Sequence, residues 1–225
     1  MGPVDPRDGE RAPYDPMPHG PPEVGVGPWP GGRQAWPTGP GSEVYDEQLL
    51  ATGDRRNVVD RYRYWRLEAI VADLDTRRHA FHVAIENWQH DFNIGTIVRT
   101  ANAFLACEVH IVGNRRWNRR GAMVTDRYQH VRHHGSVADL SSYLQARQVT
   151  LLGIDNLPGA LPLETATLPR AVCLLFGQEG PGLSEAAHAA CHGTFSIAQF
   201  GSTRSINASA AAAIAMHAWI RQHAG

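Results

Sequence analysis

Apolar and polar positions along the 225 residues fall into three regimes. From Met1 to about Gly53 they follow no period. Pro13, Pro16, Pro18, Pro21 and Pro22 crowd the start, and Gly25-Val26-Gly27-Pro28-Trp29-Pro30-Gly31-Gly32 comes next. Such a segment cannot bury enough apolar area to offset its ordering entropy, so a flexible tail over 1–53 is expected. Trp29 and Trp36 leave a second reading, an arm docked on its own domain or on a partner. From Arg55 to Leu74, Val58, Tyr62, Trp65, Ala69 and Ala72 recur at spacings of three and four, which predicts a helix. Its other face carries Arg55, Arg56, Arg63 and Arg66, to meet either solvent or phosphates.

Beyond Phe81 short apolar runs alternate with amphipathic ones. Strands are predicted over 81–86, 108–113, 149–154, 171–176 and 194–197. Helices are predicted over 93–105, 137–146, 184–191 and 205–223. Strand and helix in alternation give an α/β domain over 54–225, with a mainly parallel sheet flanked by helices.

Charge sharpens this division. Residues 1–53 hold eight acids and three arginines, a balance of −5, and the remainder of the chain stands at +4. An acidic lead-in to a basic body suggests a polyanionic partner. Cys107, Cys173 and Cys191 lie in or beside apolar runs without paired spacing, as buried thiols of a reducing cytosol do. No run reaches the ~18 apolar residues of a membrane span. The start shows no charged-then-apolar signal pattern, so a cytoplasmic protein without a membrane is expected.

Three polar, glycine-containing segments each come after an apolar strand and lead into a helix, the place where open α/β sheets bind ligands. The first is Asn93-Ile94-Gly95-Thr96-Ile97-Val98-Arg99-Thr100. Asn93 can cap the helix there, and Arg99 lies early in it, against the dipole. Such an arginine is either a surface residue or one placed for a ligand. The second is Gly177-Gln178-Glu179-Gly180-Pro181-Gly182-Leu183-Ser184, whose glycines allow a close backbone approach and whose one ionisable group is Glu179. It reads equally as an ordinary connection; it has neither a P-loop lysine nor G-x-G-x-x-G spacing. In the third, Ser205 is placed to cap the last helix and Asn207 lies in its first turn. His188 and His192 flank Cys191 at a zinc-compatible spacing, but no second ligand pair lies nearby, and no metal is expected. No G-x-S-x-G or H-E-x-x-H motif occurs.

Taken together, Asn93-x5-Arg99-Thr100, Gly177-x-Glu179-x2-Gly182-Leu183 and Ser205-Ile206-Asn207-x-Ser209 resemble, in order and spacing, the SpoU/TrmH family of RNA ribose 2′-O-methyltransferases, part of the SPOUT superfamily. Ile206 stands where leucine is common, and Ser196-Ile197-Ala198-Gln199 lacks a proline frequent after the isoleucine. The resemblance implies a C-terminal trefoil knot, one of the rare exceptions to unknotted topology. It implies S-adenosylmethionine held by Gly177, Gly182, Ile197 and Ile206, and a homodimer with its site near the subunit interface. Arg99 would be the activating residue, Asn93 and Glu179 would orient it, and Ser205 and Asn207 would position the ribose. The substrate would be tRNA or rRNA, met by Arg115, Arg116, Arg119 and Arg120 with Trp117 as a stacking face. Two alternatives stand beside it: a knotted base methyltransferase, and a non-catalytic RNA-binding or ribosome-assembly protein of the same fold.

Overall fold

In the computed structural model, which describes residues 25–89 and 93–224, seven strands form one sheet. They are β1 (His82–Asn87), β2 (Val109–Gly113), β3 (Val131–His134), β4 (Thr150–Ile154), β5 (Leu161–Pro162), β6 (Val172–Phe176) and β7 (Thr194–Ser196). The order is β3-β2-β1-β6-β4-β7-β5, and every neighbouring pair is parallel. β1 and β6 are buried along their whole length, which is why β6 reads as an unbroken apolar run and β1 carries one over Val83-Ala84-Ile85 rather than an alternating pattern.

Alternate side chains serve opposite faces. Val83, Ile85, Leu174 and Phe176 pack with α3 (Asn93–Ala103) and α6 (Ala208–His223) around Trp219. Ala84, Cys173 and Leu175 pack with α4 (Val137–Gln145) and α5 (Glu185–Ala190). The expected α/β architecture is therefore observed, with helices on both faces. β3 and β5 were not predicted. Val131-Arg132-His133-His134 has a single apolar residue, and β5 is two residues long, so neither offers a hydrophobic period to read.

The N-terminal part differs from expectation. Residues 25–53 do not trail from the domain but fold against the segment from Asp54 to Trp65. Val26 pairs with Asp54, and the Tyr64 hydroxyl donates to the Gly27 carbonyl. Within the arm, the Trp29 amide donates to the Leu50 carbonyl. The Trp29 ring meets Tyr45 and Tyr64 edge-on, as its docked-arm reading anticipated. A short helix, α1 (Glu47–Thr52), buries Leu50. The first 24 residues of the expected tail lie outside the described residues.

The basic helix expected over 55–74 is also shorter, confined to α2 (Leu67–Asp75). Upstream of it the chain is organised on Asp54, a fully buried carboxylate that accepts from the Arg56 side chain and from the Arg56 and Tyr64 amides. Burial alone would raise its pKa; those hydrogen bonds outweigh it and hold the carboxyl below its ordinary range. Arg56 and Arg63 are thus spent on internal bonds, Arg63 to the Arg56 carbonyl, and Arg66 bonds the Glu43 carbonyl. Three of the four expected arginines thus serve as structural ties, while Arg55 is exposed.

Candidate active site

The sheet delivers three loops to one end. β6 ends at Phe176, and the next residues double back so that Gln178 and Gly182 exchange two backbone hydrogen bonds of 3.1 and 3.0 Å. The turn is too tight for side chains at two positions. A Cβ on Gly177 would lie 2.0 Å from the Gly182 carbonyl carbon. Gly182 itself has φ +74°, and a Cβ there would come 2.4 Å from Asp155 Oδ2. Asp155, just past β4, fixes the loop by accepting from the Leu183 amide at 2.7 Å. The Asn156 side chain then donates to the Arg204 carbonyl, tying in the third segment.

These segments enclose a cavity of about 410 Å³, within the size range of small-molecule sites. Gly177, Gly182, Ile197 and Ile206 all line it, as do Glu179, Ser205 and Asn207. Along one side runs a chain of side-chain bonds. Asn93 Nδ2 donates to Glu179 Oε2 at 2.8 Å, and Asn207 Nδ2 donates to Asn93 Oδ1 at 2.9 Å. Asn207 Oδ1 in turn accepts from the Ser209 amide, so Asn207 caps α6. That corrects the expected cap: Ser205 lies outside the helix, exposed, at the cavity wall.

Arg99 does not join this chain. It is exposed on α3, six residues beyond Asn93 and so roughly 9 Å farther along the helix axis. It does not line this cavity and has no ion pair among the described residues.

Sequence reasoning missed two residues here, Asp155 and Glu86. Glu86 is fully buried at the end of β1, where it accepts from the Ser184 amide and hydroxyl and from Trp88 Nε1, at 2.7 to 2.9 Å. The available signal was a carboxylate directly after the apolar run Val83-Ala84-Ile85 in a buried strand, a placement proteins tolerate only when it is bonded.

The basic loop lies next to the first turn of α3. A Cβ on Gly95 would fall 2.8 Å from the Ala122 amide nitrogen, and one on Gly121 2.8 Å from that of Thr96. Arg115, Arg116, Arg119 and Arg120 line this loop, with Arg119 paired to Asp126 at 3.2 Å. Trp117 is less available than expected: it packs partly on the core, and the Arg119 guanidinium lies 5.3 Å over its ring.

Among the described residues one group could surround a metal ion: His82, Glu108 and His110. His188, Cys191 and His192 form no such cluster. The three side chains are already bonded within a ladder across β1, β2 and β3. His82 Nδ1 meets His110 Nε2 at 3.0 Å, and His110 Nδ1 meets His134 Nε2 at 3.0 Å. Glu108 accepts from Tyr143 and from Arg132, whose guanidinium would oppose a cation. Burial, foremost, then the neighbouring imidazoles and arginines, push His110 down to about 2; His82 and His134 are also lowered, chiefly by burial.

The ladder makes the fold acid-sensitive. Unfolded, the three imidazoles take up protons near 6.5; folded, they stay neutral to lower pH. The unfolded chain binds more protons below that pH, so the ladder's contribution is complete above 6.5 and lost as pH falls. The slope is up to about 1.4 kcal/mol per pH unit for each imidazole that remains neutral. Thermal midpoints should drop between pH ~6.5 and ~5, above the carboxylate range, and His110→Gln should flatten that slope. An unchanged slope in the variant would reject the assignment.

The profile of the SpoU rRNA Methylase family matches residues 80–217. The chain belongs to the SpoU rRNA methylase family. Among relatives of this SpoU chain, the tRNA (guanosine(18)-2′-O)-methyltransferase of Escherichia coli K12 is 28% identical over 163 residues, covering 71% of the chain and 70% of the relative. The enzyme of the same name from Thermus thermophilus is 27% identical over 157 residues, covering 66% of the chain and 78% of the relative. Among solved structures, the SpoU methyltransferase AviRb from Streptomyces viridochromogenes, in complex with its cofactor AdoMet, superposes with a TM-score of 0.60 at 25% identity. That match covers 68% of this SpoU chain and 62% of AviRb. The TrmH/SpoU tRNA modifying enzyme of A. aeolicus shares the fold, with a TM-score of 0.63 at 18% identity over 71% of this chain and 83% of that one.

Proposed function

We propose that this protein transfers a methyl group from S-adenosylmethionine to a ribose 2′-hydroxyl of RNA, tRNA or rRNA. The observation that carries the reading is the Glu179–Asn93–Asn207 chain, whose two bonds span 86 and 114 residues beside a cavity of about 410 Å³. Two of the lining glycines cannot carry a Cβ without striking the loop itself or Asp155, so the cavity wall presents main chain at those positions, which supports the cofactor. Gly177, Gly182, Ile197 and Ile206 would hold it. When bound it supplies an electrophilic methyl group on a sulfonium.

This chain's own residues ready the acceptor. A ribose hydroxyl is a poor nucleophile until it begins to lose its proton. A guanidinium keeps its charge, so Arg99 serves as a cation rather than a base: it fixes a neighbouring phosphate and stabilises the developing oxyanion. That phosphate or a water takes the proton. Asn93 and Glu179 position the start of α3, and Ser205 and Asn207 place the ribose. Methyl transfer to an oxyanion annihilates charge, which a dry, preorganised site favours.

The reading extends to a cytoplasmic homodimer with a C-terminal knot and no metal. Arg99 supports the dimer: it stands exposed and away from its own cavity, where a second subunit could bring it to the partner cavity. Among the described residues no helix is long and apolar enough to cross a membrane. RNA would lie along Arg115, Arg116, Arg119 and Arg120. Neutralising all four should weaken RNA binding and flatten its salt dependence, by about 0.7 to 0.9 in log–log slope per lost phosphate contact. An unchanged slope would remove that surface from the proposal.

Incubation with cofactor and unmodified RNA, then nuclease digestion and mass spectrometry, tests the activity itself. Methyl groups on ribose are expected. Methyl groups on the base would favour the knotted base methyltransferase, and cofactor binding without transfer a non-catalytic role.

A further inference from the structure

Trp88 comes directly after β1, at the strand end that faces the site, and it is exposed over 41% of its surface. Tryptophan is highly buried on average, so one this open that is also held in place invites a reason. This one is not loose. Its Nε1–H donates to the buried carboxylate of Glu86 at 2.9 Å, its amide donates to Gln178 Oε1 at 2.9 Å, and its carbonyl accepts from Asn114 Nδ2 at 2.8 Å. A Cβ built on Gly113 would lie 2.6, 2.8 and 2.9 Å from Cε3, Cζ3 and Cδ2 of the ring. Near-equal distances to three adjacent ring atoms mean that Gly113 covers a face of the indole, not an edge. One face rests on backbone at Gly113, leaving the opposite face and the edges to carry the residue's exposure.

Its neighbours give the opposite face a purpose. Gln178 belongs to the cavity loop, while Asn114 begins the basic loop. Asn87, the preceding residue, also donates to the Asn114 and Arg116 carbonyls at 2.7 and 2.8 Å. A rigid aromatic plate thus stands between the cavity and the arginines of the basic loop. Aromatic faces flanked by cations bind unpaired nucleobases, because every base has a π-face and the cations track the phosphates. We infer that the face of Trp88 opposite Gly113 is a stacking site for an unpaired nucleobase of the RNA, one that seats the strand between the basic loop and the methyl-donor cavity. The inference rests on the RNA methyl-transfer reading for its ligand class, yet it can be tested apart from transfer.

The probe is a short single-stranded RNA carrying 2-aminopurine, whose fluorescence falls when the base stacks on an indole, titrated with the full-length protein. Wild type should quench it. Trp88→Ala should raise Kd about tenfold or more and lose the quench. Trp88→Phe keeps a π-face without the Nε1–H and should stay within about threefold of wild type. Trp88→Leu keeps apolar bulk without a π-face and should behave like the alanine variant, which a merely structural residue would not. Calorimetry with S-adenosylmethionine and thermal midpoints establish that each variant is folded. A Kd for Trp88→Ala within about twofold of wild type, or equal Kd values for Leu and Phe, overturns the inference. Trp88-dependent binding in a protein that methylates no RNA would sink the methyl-transfer reading and leave this one standing.

Discussion

Arg99→Ala should abolish methyl transfer, by about 10²- to 10³-fold or more, while S-adenosylmethionine binds with nearly unchanged affinity. The size comes from the role: a cation on a developing oxyanion acts chiefly in the transition state, so its loss falls on kcat. The selectivity comes from the location. Arg99 is exposed, lies outside the cavity proposed to hold the cofactor, and has no ion pair among the described residues, so its removal should leave the thermal midpoint in place. Arg99→Lys preserves the charge but not the planar fork that grips a phosphate, and should fall between. Single-turnover methyl transfer and cofactor calorimetry on the same preparations decide it. Near-wild-type turnover in Arg99→Ala would falsify the assignment.

Gly177→Ala should have the opposite profile, with cofactor binding lost first. The added methyl would stand 2.0 Å from the carbonyl carbon of Gly182, and that atom is backbone held by two hydrogen bonds, not a side chain free to swing away. The loop must open, the Gln178–Gly182 pair breaks, and the cavity wall goes with it. Overpacking of this kind costs about 1–3 kcal/mol, so the rest of the domain should remain folded. Gly201→Ala serves as control, because nothing lies within 4 Å of its Cβ position. Calorimetry should find no cofactor binding in the first variant and ordinary binding in the second. Intact binding in Gly177→Ala would mean the loop is softer than its geometry.

Strong periodicity made the domain legible. Val172–Phe176 is apolar at every position, and Ile94, Ile97, Val98 and Ala101 form one stripe, so both elements were readable with the correct type. The cavity residues were readable chiefly through the family resemblance of the three motifs; glycine chemistry alone marked a tight turn at Gly177 and Gly182 but no ligand, and nothing local singled out Ile197 or Ile206. Weak signals failed where tertiary contacts decide the structure. β3 owes its existence to pairing with β2 and to the His110–His134 bond, neither of which leaves a hydrophobic period. The segment from Gly25 to Gly53 is poor in apolar residues, yet a single buried carboxylate, Asp54, organises the chain it packs against. Asp155 and Glu86 were overlooked because their work is done on backbone amides far away in sequence, at Leu183 and Ser184.

The bond between Asn93 and Asn207 spans 114 residues, and Asn207 caps the last helix of the chain. Such distant pairings are made late and slowly, after many local contacts have formed. A polypeptide without α6 could therefore carry all seven strands and still lack this bond. The run of side-chain bonds beside the cavity closes only once α6 has docked, so its formation reports the joining of segments 114 residues apart.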